Sequence, residues 1–144
     1  QAEGCCPLNR SLQTGEPWRP MEENTMADSI AVGVPRNADK ALAAVRESGG
    51  VAVNVSDGEI LSAMGLMGRT CGVFGEPAGV AATAGVKKAV ELGLIDPAST
   101  VVSIVTGNGL KDAASGIKAA GEPMVVKPDM ADLLSAFEAR NIHP

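Results

Sequence analysis

Apolar positions along this chain follow two rhythms that change places several times. Ala38, Ala41, Leu42 and Val45 recur three and four residues apart, the spacing of one helix face; Asn37 suits the cap before them and Gly49-Gly50 the stop after them. Ser56 and Glu59 stand in the Ser-x-x-Glu arrangement of a capping box, so a helix carrying Ile60, Met64 and Met67 on its inner face is predicted next. Pro77 suits the first turn of a third helix, which runs to Leu92-Gly93 and is lined by the small residues Ala78, Ala81, Ala82, Gly85 and Ala89. Asp112 caps a short helix to Lys118, and Asp129 or Asp132 opens a terminal one with Leu133, Leu134 and Phe137 inward. Near the front, Cys6-Pro7-Leu8 begins a short helical passage ended by Gly15, and Thr25 to Ile30 offers a cap and one short turn of helix.

Between these lie stretches with strand character. Gln1 to Gly4 reads as the end of a strand, Val51-Ala52-Val53-Asn54-Val55 alternates as a half-buried strand does, Val73-Phe74 is another strand end, and Met124-Val125-Val126 a last strand. Val101-Val102-Ser103-Ile104-Val105-Thr106 differs: five of its six residues are β-branched without polar alternation, which suits a strand buried on both faces of a parallel sheet. Strands alternating with helices predict an α/β fold, a three-layer αβα arrangement around a largely parallel sheet.

Composition narrows the picture. The 144 residues are 45% apolar with a formal net charge of -5, which describes one soluble, globular domain over residues 1–144. With no cluster of Lys and Arg, nucleic acid and anionic membranes are not expected partners. No apolar run approaches the roughly 20 residues of a membrane span, and no signal-peptide pattern opens the chain. Cys5, Cys6 and Cys71 form neither a disulfide framework nor a zinc pattern, and read as buried or partly buried thiols; no metal site is expected. His143 is the only histidine and stands next to the last residue, where no catalytic role is expected. Trp18, in a proline-containing loop, is read as packing on a neighbouring surface.

The chemistry concentrates after Thr106. Gly107 and Gly109 bracket Asn108 in a turn that allows another molecule close to the backbone, at the carboxyl end of a strand where open α/β sheets bind ligands. From spacing alone, a plain strand-to-helix turn and a ligand-binding turn both remain open, because neither a dinucleotide fingerprint nor a phosphate loop is present.

Thr106-Gly107-Asn108-Gly109-Leu110-Lys111-Asp112 resembles the Thr-Gly-x-Gly-Leu-Lys-Asp signature of threonine synthases. Gln1-Ala2-Glu3-Gly4 with Pro7, Ala27-Asp28-Ser29-Ile30, Ser48-Gly49-Gly50, Ser56-Asp57-Gly58-Glu59-Ile60 and Phe74-Gly75-Glu76-Pro77-Ala78 are similar to further motifs of that family, in its order. The resemblance implies a partial large domain of the tryptophan-synthase-β-like, pyridoxal-phosphate-dependent fold (fold type II). It implies an enzyme that converts O-phosphohomoserine and water to threonine and phosphate, and we expect a cytoplasmic homodimer at full length. Thr106 would meet the cofactor's ring nitrogen, a role its neutral hydroxyl suits. Gly107 would pass close to the ring edge, Asn108 would shape the turn, and Ala2 and Glu3 would lie at the mouth of the crevice. The family's Schiff-base lysine, asparagine loop and Gly-rich phosphate loop would lie upstream of Gln1. No catalytic residue is therefore expected within residues 1–144, Lys111 is not read as the catalytic amine, and this C-terminal part alone is expected to be inactive. A threonine or serine dehydratase of the same fold, a non-catalytic small-ligand domain and an interaction module built on the helix at Ala78 to Ala89 are the competing readings.

Overall fold

A computed structural model describes residues 1–142; His143 lies outside the described residues. Among the described residues there are six α-helices: α1 Pro7–Thr14, α2 Ala38–Glu47, α3 Asp57–Cys71, α4 Pro77–Glu91, α5 Ala113–Ala120 and α6 Met130–Ala139. Short 3-10 turns occupy Asp28–Ile30 and Gly109–Asp112.

Local chemistry accounts for the helix ends. Ser56 Oγ accepts the Glu59 N–H at 3.2 Å while Glu59 Oε2 accepts the Ser56 N–H at 2.6 Å, so the capping box at the start of α3 is complete. Pro77 opens α4 at a position whose N–H would have no helical partner. Asp112 accepts the Ser115 N–H ahead of α5, and Asp129 accepts those of Ala131 and Asp132 ahead of α6. Gly15 and Gly72 close α1 and α3 in the left-handed conformation, at φ 75° and 68°. Asn37 stands at the predicted cap of α2, but its side chain makes no capping bond.

The core lies between α3 and α4. Val55, Ile60, Ala63, Met64, Val80 and Ala84 form one buried cluster with Ala2 and Ala27, and Met67 packs on its margin. Burying a side chain such as Ile60 or Val80 contributes about 1.5–3 kcal/mol. On α4 the buried residues are Pro77, Gly79, Val80, Ala84 and Ala89; Ala78, Ala81, Ala82 and Gly85 line an open groove, together with Gly79 and Ala89. α5 packs on α3, and α1 on α2. Trp18 Nε1 donates to Asp39 Oδ1 at 3.1 Å, tying the proline-containing loop to α2.

The extended stretches depart from expectation. Among the described residues no strand ladder forms, and the backbone pairs only at isolated bridges: Ala2 with Cys5, Ala2 with Val55, and Gly75 with Asn108. A strand needs neighbours for its N–H and C=O groups, and residues 51–54, 101–106 and 124–126 have no bridge partner here. Their side chains are correspondingly open, with Val102 85%, Ile104 72% and Val125 95% exposed. α6 likewise buries none of its residues; Leu134, predicted inward, is exposed because no other helix covers that face. Cys5 is buried and Cys6 half-buried, whereas Cys71, at the last turn of α3, is exposed rather than partly buried.

Candidate functional site

The turn after Val105 is bound to the start of α4. The Glu76 N–H donates to the Gly107 carbonyl at 3.0 Å, and the Gly109 N–H donates to the Phe74 carbonyl at 2.9 Å, so residues 107–109 run antiparallel to 74–76. Asn108 Oδ1 accepts the Leu110 N–H at 2.9 Å and turns the chain into the 3-10 segment that Asp112 passes on to α5. These bonds fix the backbone on both sides of Gly107.

Glycine is required on both sides of this contact. A Cβ on Gly79 would stand 2.9 Å from the Gly107 carbonyl oxygen and 3.0 Å from its nitrogen, so α4 approaches the turn backbone to backbone. A Cβ on Gly107 would collide with the Glu76 carboxylate, and one on Gly109 would enter the Phe74 ring. Glu76 is buried, 5% exposed, and its Oε1 accepts from Lys111 Nζ at 2.9 Å. That hydrogen bond holds the Lys111 ammonium above its ordinary pKa. The Asp112 carboxyl is held below its ordinary range by its bonds from Ser115.

Two hollows flank the turn. On one side Thr106 is exposed and lines an open groove of about 550 Å³ together with Gln1, Ile30, Ala78, Gly79 and Ile104. On the other, Met26, Asp28, Ser29 and Asp112 surround the Glu76–Lys111 pair in a polar hollow of about 360 Å³. The loop carrying Met26 is itself anchored, because Asp57 accepts from the Thr25 hydroxyl at 2.5 Å and from the Met26 N–H at 3.0 Å.

Thr106, Gly107 and Asn108 are thus held together on one rigid turn. Ala2 and Glu3 stand apart from it: Ala2 is fully buried in the core, Glu3 is exposed, and neither lines the groove. Gln1 lines it instead, and its backbone carbonyl accepts the Val55 N–H at 2.9 Å. Sequence reasoning missed Gln1 and Gly79. Gly79 carries a partial signal, since a glycine one turn into a small-residue helix marks a close backbone approach.

The groove suits the ring end of a flat heteroaromatic cofactor. It offers an exposed hydroxyl that both donates and accepts, beside Ala78, Gly79 and Ala82, whose small size leaves room for a flat ring.

Comparison with known proteins bears on this turn. The family described as "Pyridoxal-phosphate dependent enzyme" matches residues 1–107. The chain is 47% identical over 139 residues to a threonine synthase of Methanosarcina acetivorans, covering 95% of this chain and 34% of that protein. It is 41% identical over 134 residues to a threonine synthase of Methanocaldococcus jannaschii, covering 90% and 33%. A threonine synthase of Synechocystis sp. is 38% identical over 139 residues, covering 95% and 34%. The chain spans about a third of the length of the curated relatives it matches. With threonine synthases as its curated relatives, the chain belongs to the pyridoxal-phosphate dependent enzyme family.

Proposed function

We propose that residues 1–144 are the C-terminal part of the catalytic domain of a threonine synthase, which converts O-phosphohomoserine and water to threonine and phosphate. The observation that carries this reading is the Thr106–Gly109 turn, fixed against Gly75 and Glu76 with Thr106 open to a groove, in a chain 47% and 41% identical to threonine synthases. Pyridoxal phosphate supplies the electron sink that stabilises carbanionic states of the substrate.

This chain's part is to hold and tune the ring. Thr106 would donate its hydroxyl hydrogen to the ring nitrogen; as a neutral partner it would leave that nitrogen unprotonated, where a carboxylate would hold a proton on it. Gly107 would let the main chain pass the ring edge and Asn108 would keep the turn in shape; Ala2, buried in the core, and Glu3, outside the groove, take no part in holding the ring. The lysine that binds the cofactor and moves protons, and the phosphate loop, lie in the part of the protein that this chain does not span. The same part would pair with residues 51–55 and 101–106 and complete a three-layer αβα sheet. A cytoplasmic homodimer is the proposed assembly.

The test is pyridoxal phosphate binding to the protein at its native length, wild type against Thr106→Ala and Thr106→Ser. Losing one hydrogen bond to a ring nitrogen weakens binding by about fivefold or more in the alanine variant, with the serine variant close to wild type and the melting temperature unchanged. Equal affinity in all three would remove Thr106 from the site.

A further inference from the structure

Among the described residues, Glu76 is the only buried carboxylate, and nothing in the core requires it there. It stands at the cap position of α4 without making a side-chain capping bond. Its side chain, 6% exposed, lies against Gly107 and accepts from Lys111 Nζ, itself 58% exposed and facing the hollow formed with Met26, Asp28, Ser29 and Asp112. Burying a carboxylate costs free energy that a surface glutamate avoids, and a helix cap is met equally well by serine or aspartate. The placement therefore asks for a role tied to the turn.

We propose that Glu76 and Lys111 act as a pair of positioning residues for the cofactor turn: the Glu76 carboxylate holds Gly107 in place and balances the Lys111 charge across the turn from Thr106. The inference rests on the cofactor reading above. Its physical content is that a ring nitrogen held at Thr106 would have a charge-balanced pair across the turn, in the neighbouring hollow. Removing Glu76 leaves an ammonium near the turn, which disfavours protonation of the ring nitrogen; removing Lys111 leaves a carboxylate, which favours it. The two single substitutions therefore act in opposite directions, whereas loss of a merely structural contact would act in the same direction at both positions. Gln in place of Glu76 and Met in place of Lys111 preserve volume, so no cavity is opened and the charges change one at a time.

The experiment uses the protein at its native length, as wild type, Glu76→Gln, Lys111→Met and the double variant. The first measurement is hydrogen exchange without cofactor. Glu76→Gln is expected to speed exchange of the Glu76 and Gly109 amides, which bond across the turn, by about tenfold while amides of the α3–α4 core keep their wild-type rates. The second is the pH titration of the bound cofactor's absorption band. The midpoint moves to lower pH in Glu76→Gln, to higher pH in Lys111→Met, and back towards wild type in the double variant. Midpoints that stay put, or that move the same way in both single variants, overturn the inference while leaving the cofactor site intact. A wild-type protein that binds no pyridoxal phosphate overturns the cofactor reading and the charge-balancing role with it. The exchange result then decides whether the pair still holds the turn.

Discussion

At Gly79 two residue-scale effects compete, and their sizes decide the sign. Alanine at a helix-interior glycine ordinarily stabilises by about 0.5–1 kcal/mol because the unfolded chain loses freedom. Here the added Cβ would stand 2.9 Å from the Gly107 carbonyl oxygen, closer than such contacts occur, and the obstacle is backbone that cannot rotate aside. Overpacking of that kind costs about 1–3 kcal/mol, so Gly79→Ala is expected to be net destabilising. Gly68, in α3, is the control: a Cβ there meets nothing within 4 Å, and Gly68→Ala is expected to stabilise. Urea unfolding of the two variants checks both signs, and a stabilised Gly79→Ala would mean that α4 and the turn are not in contact. This scale also shows what sequence reading can and cannot reach. Thr106, Gly107 and Asn108 are adjacent in sequence, so their shared turn was legible. Glu76 meets Gly107 and Lys111 across 31 and 35 positions, and no local pattern announces that contact.

At the scale of elements, caps predicted helices well because their chemistry is local. The α3 capping box, the Pro77 start of α4 and the Asp112 and Asp129 caps all involve groups within three residues of one another. Strands were read less well: Val101–Thr106 has strand composition, but a ladder is a contract between distant segments, and only Asn108 after it finds a partner. The small residues of α4 were legible as a close-approach surface, yet which of them face the core depends on where α3 lies. The capping box also carries a pH prediction. The Glu59 carboxyl is held below its ordinary pKa, first by the Ser56 N–H and also by Lys88 Nζ at 3.0 Å. A carboxyl whose folded pKa is depressed adds stability that is complete above its unfolded value, about 4.3. That stability is lost as pH falls through the lower folded value. Denaturant midpoints measured from pH 7 downwards should show this loss in wild type and less of it in Glu59→Gln, which keeps the hydrogen bonds without the charge. Equal slopes in the two proteins would show that Glu59 is not held low in the native state. Ser56→Ala should cost about 1 kcal/mol at neutral pH.

For the whole molecule, the described residues form a helical core with one organised turn, flanked by extended apolar segments that are open. Val101, Val102, Ile104 and Val125 have the composition of sheet interior and the exposure of surface. That mismatch is what a chain spanning a third of its relatives' length would show where the rest of the protein packs. The proposed division of labour follows: this part orients the ring through Thr106, and the part it does not span binds the cofactor covalently and moves protons. The three-layer αβα sheet expected from the alternation of elements forms no ladder among the described residues, since a layer is defined by partners on both sides. The most direct measurement is product analysis with the native-length protein, pyridoxal phosphate and O-phosphohomoserine. Threonine and inorganic phosphate appearing in equal amounts is the predicted result. Release of ammonia and a 2-keto acid from threonine, with no phosphate released from O-phosphohomoserine, would contradict it and make the protein a dehydratase.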